Sequence, residues 1–475
     1  MTQQKTLVWF RNDLRVKDNP ALHWAAEQGD VLAVFILDSE NDDIESLGGA
    51  SKWWLHHSLH SLDSALDGNL IVSSGDPLTI LSELAKRFEI TNVVWNRCYD
   101  QATRERDVAI KSSLKQREIN VKSFNGSLLW EPMNVLKQDG TPYKVFTPYY
   151  RKGCLSASPP RYPLESPSTL TFINCGSDEN KVESLALLPS LDWADGFSQH
   201  WEPGEGGAAD KLQRFIRDAA KTYQDERNLP NVLGTSRLSP HLHFGEISPN
   251  QAWYAVLDAF GGSDDKNIDT FLSELGWREF SYYLLFHWPS LPESNFNAKF
   301  DAFPWVNDDA SLEAWQRGQT GIPIIDAGMR ELWQTGYMHN RVRMVVGSFL
   351  VKNLLQDWRK GAAWFWDCLL DADLAANSAS WQWVAGSGAD AAPYFRIFNP
   401  ILQGEKFDKA GDYVTTYCPE LKGLPTKYIH KPWEAPVGVL QQAGIKLGID
   451  YPSPIVDLKA SRQAALAAYE NVKGA

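Results

Sequence analysis

The chain has 475 residues, 43% of them hydrophobic and 22% charged, with a net charge of −13, which is enough to bury the cores of two or three domains of roughly 100–200 residues each. The negative charge argues against a chain that coats nucleic acid through its overall field, because that affinity comes from Lys and Arg neutralising phosphates, yet it leaves room for a local basic patch. No basic stretch precedes an apolar run at Met1 and no run nears the ~18 apolar residues needed to cross a bilayer, so a cytoplasmic protein with no membrane partner is expected.

In chain order, Leu7 to Phe10, Val31 to Leu37, Leu70 to Val72, Val93 to Trp95 and Val121 to Phe124 read as strands. Lys52 to Leu66, Pro77 to Phe88 and Thr103 to Gln116 read as helices between them. The expected fold is an α/β doubly wound parallel sheet over residues 1–131, with a small-molecule site near the strand ends at Asn96, Arg97 and Asp100, or else a solvated loop there. From 132 to 206 the pattern dissolves into Pro, Ser, Gly and Asp, the mark of an interdomain linker. Residues 207–475 form an expected all-α domain, with helical periodicity at Ala208–Tyr223, Pro249–Phe260, Asn267–Phe286, Ile324–Thr335 and Asn340–Trp358. The cysteines Cys98, Cys154, Cys175, Cys368 and Cys418 are too scattered for zinc or iron–sulfur spacing, so free thiols and no metal are expected.

Standard nucleotide motifs are missing; Gly386-Ser387-Gly388 does not complete GxGxxG and signals a loop. The run Gly234-Thr-Ser-Arg-Leu-Ser-Pro240 brings three hydroxyls and a guanidinium to a helix start. It could hold a pyrophosphate or simply cap the helix. Asn340, Arg341 and Met344 converge on one helix face, and Glu274 and Trp277, three apart, share another. Twenty tryptophans, 11 of them from Trp277 onward, are for the most part accounted for by core packing, but they also supply stacking platforms or electron carriers.

Several segments occur together and in order: Trp9-Phe-Arg-Asn-Asp-Leu-Arg15, Tyr223 to Arg227, Gly234 to Pro240, Phe244 to Pro249, Glu274 to Phe280, Gly318 to Gly321, Ile325 to Leu332, Met338 to Met344, Asp371 to Leu374, Trp381 to Gly386 and Phe395 to Pro400. In this the chain resembles the photolyase and cryptochrome family, and within it the class I cyclobutane pyrimidine dimer photolyases. The resemblance implies FAD bound in an all-α C-terminal FAD-binding domain, a second antenna chromophore (a folate, a deazaflavin or a flavin), and a monomer acting on DNA that contains pyrimidine dimers. The implied activity is that of a deoxyribodipyrimidine photo-lyase, a carbon–carbon lyase, in which light drives electron transfer from reduced FAD to the flipped-out dimer.

The same resemblance assigns Tyr223, Thr235, Ser236, Arg237, Leu238 and Ser239 to the diphosphate and ribityl side of FAD, and Arg278, Asp371, Asp373 and Asn377 to the flavin side. Asn377 holds no carboxylate proton, which favours a fully reduced anionic flavin; otherwise it is a helix-capping polar residue. Glu274, Trp277, Asn340, Arg341, Met344 and Trp383 become the dimer pocket, with Glu274 and Asn340 also catalytic, and Arg227, Arg341 and Arg396 the contacts to flanking phosphates. Trp381, Trp358 and Trp305 match the family's electron chain from flavin to surface. Eukaryotic (6-4) photolyases carry His in place of Asn340, and DASH-type cryptochromes usually carry Gln for Met344 and Tyr for Trp383, so the class I set is expected. For the antenna, Asp100 stands where folate-binding members have Glu, and Ser51-Lys52 where some deazaflavin-binding members have a basic contact, which leaves its identity open.

Overall fold

A computed structural model describes residues 4–41, 46–175, 181–189, 192–391 and 395–474. Five strands, β1 (Gln4–Phe10), β2 (Gly29–Leu37), β3 (Leu70–Ser74), β4 (Asn92–Asn96) and β5 (Asn120–Phe124), form one parallel sheet in the order β3-β2-β1-β4-β5. The expected doubly wound sheet is present, and the order reverses between β1 and β4. β4 and all but the first residues of β1 and β2 are almost wholly buried, as covered parallel strands are, which is why their apolar runs were readable.

The connecting helices are α1 (Pro20–Gln28), α2 (Gly49–Ala65), α3 (Pro77–Arg87) and α4 (Gln101–Gln116). Periodicity did not reveal α1, which is short; its signal lies in Asn19, whose side chain accepts from Leu22 N–H, followed by Pro20 in the first turn. The linker-like stretch after β5 is not featureless. Thr171 O accepts from Val31 N at 2.8 Å and Ile173 N donates to Val31 O at 2.9 Å, so this stretch runs beside the start of β2.

The described residues gather in two compact units, each assembled from non-contiguous segments. One holds the sheet with residues 201–218 and 236–289; the other holds 193–200, 219–235 and 290–475. In the first, the helices Pro249–Phe260 and Lys266–His287 match the periodic stretches expected there. In the second, a core of Trp315, Ile325, Leu332, Val346, Phe349, Leu350, Trp358, Phe365 and Trp381 is closed by the helices Pro323–Thr335, Asn340–Ser348, Trp358–Cys368 and Leu374–Ala385.

Two expected helices are shorter than their periodic stretches. The one starting at Asn340 ends its α geometry at Ser348, widens to a π-helix over Phe349–Asn353 and breaks at Leu355, whose φ is 52°. A new helix begins at Trp358, with Asp357 accepting from Arg359 N–H at 2.9 Å. Apolar residues keep helical spacing across the break because both segments face the same core, so periodicity alone could not show it. The stretch from Ala208 likewise turns from α at Arg214 to π over Phe215–Ala219. No disulfide joins the cysteines, and no described helix is long and apolar enough to cross a membrane.

Candidate functional site

In the sheet-bearing unit, the helix Lys266–His287 presents Glu274, Trp277 and Arg278, all half-buried. The Trp277 indole lies flat on Phe146, centroids 3.8 Å apart and planes at 11°. One face is thus fixed by an aromatic neighbour while the side chain keeps solvent access, a different situation from a core tryptophan. Arg278 donates to Ser127 O at 2.9 Å and to Glu279 Oε1 at 3.1 Å, and lies 4.8 Å from the Tyr282 ring.

Glu279 is buried and accepts from Leu129 N at 2.8 Å, so the Arg278–Glu279 pair fixes the chain after β5. Burial raises the Glu279 carboxyl from 4.5 to about 7, against the Arg278 charge and the N–H groups of Trp130 and Leu129. The folded protein therefore holds this proton more tightly than the unfolded chain, and stability falls as pH climbs from 4.5 through about 7. Glu279→Gln should flatten that fall by up to about 3 kcal/mol. Melting temperatures of both proteins across the interval check this, and parallel curves would show that the carboxyl ionises without cost.

The Gly234–Pro240 run leads into a one-turn helix, Ser239–His243, whose start has no side-chain cap. The capping alternative is therefore not what its hydroxyls do. Those of Thr235 and Ser236, half-buried, and of Ser239, exposed, have no hydrogen-bond partner among the described residues. Leu238 is buried and can offer a ligand only its backbone. Arg237 holds the left-handed φ of 52° and sets its guanidinium 5.0 Å from the Trp201 ring, while Lys211 lies 4.5 Å from that ring. Burial, then Arg237 and Arg214, push Lys211 down to about 8 in spite of Glu202 and Asp210. Cations crowded so closely suit an anion such as a diphosphate. Lys211 and Trp201 were not legible as site residues, because they come from a segment with no motif.

The helical unit carries the rest. Asp373 caps the helix Leu374–Ala385 by accepting from Ala376 N at 2.7 Å, and Asn377, one turn on, donates to Ala362 O at 3.0 Å rather than capping. Asp371 Oδ2 accepts from Arg343 at 2.8 Å, while its Oδ1 is buried with no partner among the described residues. Such an acceptor calls for a donor from outside the protein. Arg343, which also donates to Met338 O at 2.7 Å, was overlooked among the charged residues of its motif.

Asn340, exposed, opens its helix, followed by half-buried Arg341 and Met344. Arg341 donates to Asn228 at 2.6 Å and lies 4.5 Å from the Phe407 ring, and burial followed by the like charge of Arg227 lowers its pKa. Two guanidinium groups close enough to repel each other suit a phosphate. Tyr223 is buried beneath Arg227, which stands 5.4 Å from its ring. Trp383 donates to Asp390 O at 3.2 Å and is partly buried; Arg396 is exposed.

Residues 6–168 match the family model described as DNA photolyase, and residues 271–471 the one described as the FAD binding domain of DNA photolyase. The chain is 51% identical to a deoxyribodipyrimidine photo-lyase of Agrobacterium fabrum over 98% of each protein. The chain belongs to the DNA photolyase family. A photolyase fold is confirmed over its whole length by the crystal structure of a bacterial class III photolyase from Agrobacterium tumefaciens, which superposes with a TM-score of 0.96 at 50% identity, covering 100% of this chain and 99% of that one. Cryptochrome-2 of Arabidopsis thaliana is 40% identical over 97% of this chain and 78% of its own length.

As a photolyase family member the chain has FAD as its cofactor, and the unpartnered Asp371 oxygen and the cation cluster at Lys211 and Arg237 both fit that group. Of the tryptophans expected to form an electron chain, Trp381 is 4% exposed and Trp358 1%, and Trp305 is partly buried against the same core. Trp358 Nε1 donates to Asn295 at 3.0 Å. Gly361 gives Trp381 its place, since a Cβ there would stand 2.2 Å from the indole.

The strand-end loop of Asn96, Arg97 and Asp100, expected as a small-molecule site or a solvated loop, makes several bonds to the protein. Arg97 donates to Ser123 O at 2.7 Å and pairs with Glu131, Asn96 donates to Asp13 and Asn19 at 2.6 and 2.8 Å, and Asp100 caps α4 by accepting from Thr103 N. Ser51 is buried and Lys52 exposed. Most polar groups of the loop are engaged within the protein, but Asn96 Oδ1 is buried with no partner among the described residues.

Proposed function

We propose that the protein is a light-dependent DNA repair enzyme that splits cyclobutane pyrimidine dimers, and the observation that carries this is its 51% identity to a deoxyribodipyrimidine photo-lyase along 98% of both chains. Because the structure it resembles at 50% identity is a class III photolyase, we place it in class III in place of the expected class I. Reduced FAD, when bound, supplies an electron on illumination. Asp371 offers a buried acceptor to the flavin, Asn377 an uncharged amide, and Lys211, Arg237, Thr235, Ser236 and Ser239 bind the diphosphate side.

Trp277 stacks on a base of the extruded dimer, its other face backed by Phe146, while Glu274 and Asn340 hydrogen-bond the pyrimidine edges and Met344 and Trp383 wall the pocket. Flipping costs a few kcal/mol, less at a lesion that already stacks poorly. Arg227, Arg341 and Arg396 bind flanking phosphates, which fixes position without reading sequence. Trp277→Ala should lose roughly 1–3 kcal/mol of lesion affinity, the range for a base–aromatic stack, and keep its FAD absorbance. If lesion discrimination survives that change, Trp277 is packing and the dimer lies elsewhere.

Signalling without repair is the second reading, favoured by the 40% identity to a plant cryptochrome. A dimer-containing oligonucleotide, incubated with reduced protein under blue light, decides between them: restored pyrimidines support repair, and an unchanged lesion with normal flavin photochemistry supports signalling.

A further inference from the structure

Lys352 lies in the π-helical turn Phe349–Asn353 that follows the helix of Asn340, Arg341 and Met344, and its side chain is buried, the residue being 5% exposed. Its Nζ donates to the backbone carbonyl of Arg396 and stands 4.6 Å from the Phe395 ring centroid. Among the described residues no carboxylate pairs with it. A buried ammonium held only by a carbonyl and a ring face is costly, and an apolar side chain of the same length would fill the space more cheaply. What the ammonium adds is a grip on one peptide.

That peptide needs one. Residues 395–399 lie outside any helix, the next beginning at Pro400, so no backbone ladder fixes the direction of the exposed Arg396 side chain. Two of the bonds that hold the segment come from one helical face: Ser348 Oγ accepts from Phe398 N at 3.3 Å, and Lys352, four residues on, holds Arg396 O. We propose that Lys352 is a positioning residue for DNA binding, holding the Arg396 peptide so that the guanidinium meets a backbone phosphate. This rests on the reading of Arg396 as a phosphate contact. The strain of the arrangement is visible in the lysine itself, which burial and then the Arg396 charge lower to about 7.

The test is a double-mutant cycle on FAD-loaded protein with undamaged and dimer-containing duplexes. Lys352→Met keeps the length of the side chain and removes its donor. It should weaken binding to both duplexes alike, by about tenfold as for one charge-assisted contact, and reduce the salt slope of log K by about 0.9. Arg396→Ala should do the same, and Lys352→Met should then add nothing in the Arg396→Ala background. A merely structural lysine would give additive losses and an unchanged salt slope, and either result overturns the proposal. So does full DNA affinity in Lys352→Met when Arg396→Ala has lost it, an outcome that leaves the phosphate reading of Arg396 standing. If Arg396→Ala binds DNA normally, that reading falls and the proposal with it. Should Lys352→Met not fold, Lys352→Gln enters the same cycle, its shorter donor giving a smaller loss that must also vanish beside Arg396→Ala.

Discussion

Asp371→Asn should give a protein that folds less stably and retains FAD poorly. The carboxylate of Asp371 is 4% exposed and faces Arg343, whose side chain keeps 23% exposure. Removing one partner of a largely buried pair leaves the other charge uncompensated, at a cost of about 3 kcal/mol, softened here because Arg343 still reaches water and Met338 O. Thermal melts of apo protein measure that part. The second loss is separate: Oδ1, which has no partner among the described residues, is the atom that we propose is offered to the flavin. An amide in its place presents its oxygen or its N–H according to which way Arg343 turns it, and Arg343, a pure donor, will draw the oxygen. The N–H then meets the flavin donor, so FAD titration should show weakened binding beyond what reduced stability explains. Lower melting with unaltered FAD affinity would make Asp371 a structural partner of Arg343 and nothing more.

How far such residues could be seen in advance depended on the kind of signal they left. The sheet was legible because β1, β2 and β4 are covered on both faces and their apolar runs are nearly unbroken. α1 was not, for nine residues leave little periodicity and its announcement is the cap Asn19 and Pro20. The Asn340 to Trp358 stretch was misjudged in extent because a π-turn and the left-handed Leu355 preserve the apolar spacing that a continuous helix would have. Trp277 and Asp371 drew attention only through the ordered motifs around them; by position alone the one is a core aromatic and the other a polar residue near a helix start. Lys211, Trp201 and Phe146 left no signal, since what makes them interesting is a partner over twenty residues away in sequence. Asn96, Arg97 and Asp100, which strand-end position left open between a ligand site and a solvated loop, each bond neighbouring protein groups, while Asn96 Oδ1 stays buried without a partner among the described residues.

Trp381→Phe should yield protein that binds FAD and repairs dimers when reduced chemically but stays oxidised under blue light in the presence of an external reductant. The indole of Trp381 is buried, packed against Phe365 with centroids 5.0 Å apart and against the helix of Gly361. Phenylalanine fills most of that space, so the cost to folding should be a fraction of the 3–5 kcal/mol of a full truncation. The change removes the ring that is readily oxidised and leaves one that is not. If Trp358 in the same core and Trp305 at its margin continue the route outward, Trp358→Phe should slow photoreduction as well without altering the flavin spectrum in the dark. Absorbance followed during illumination gives the rate of reduction, and a repair assay on chemically reduced protein gives the control. If Trp381→Phe loses repair in both conditions, the residue shapes the flavin site rather than feeding it. If photoreduction continues undiminished, electrons enter by another aromatic path; the stacked Trp333 and Trp364, 6.0 Å apart with planes at 4°, are then the pair to replace.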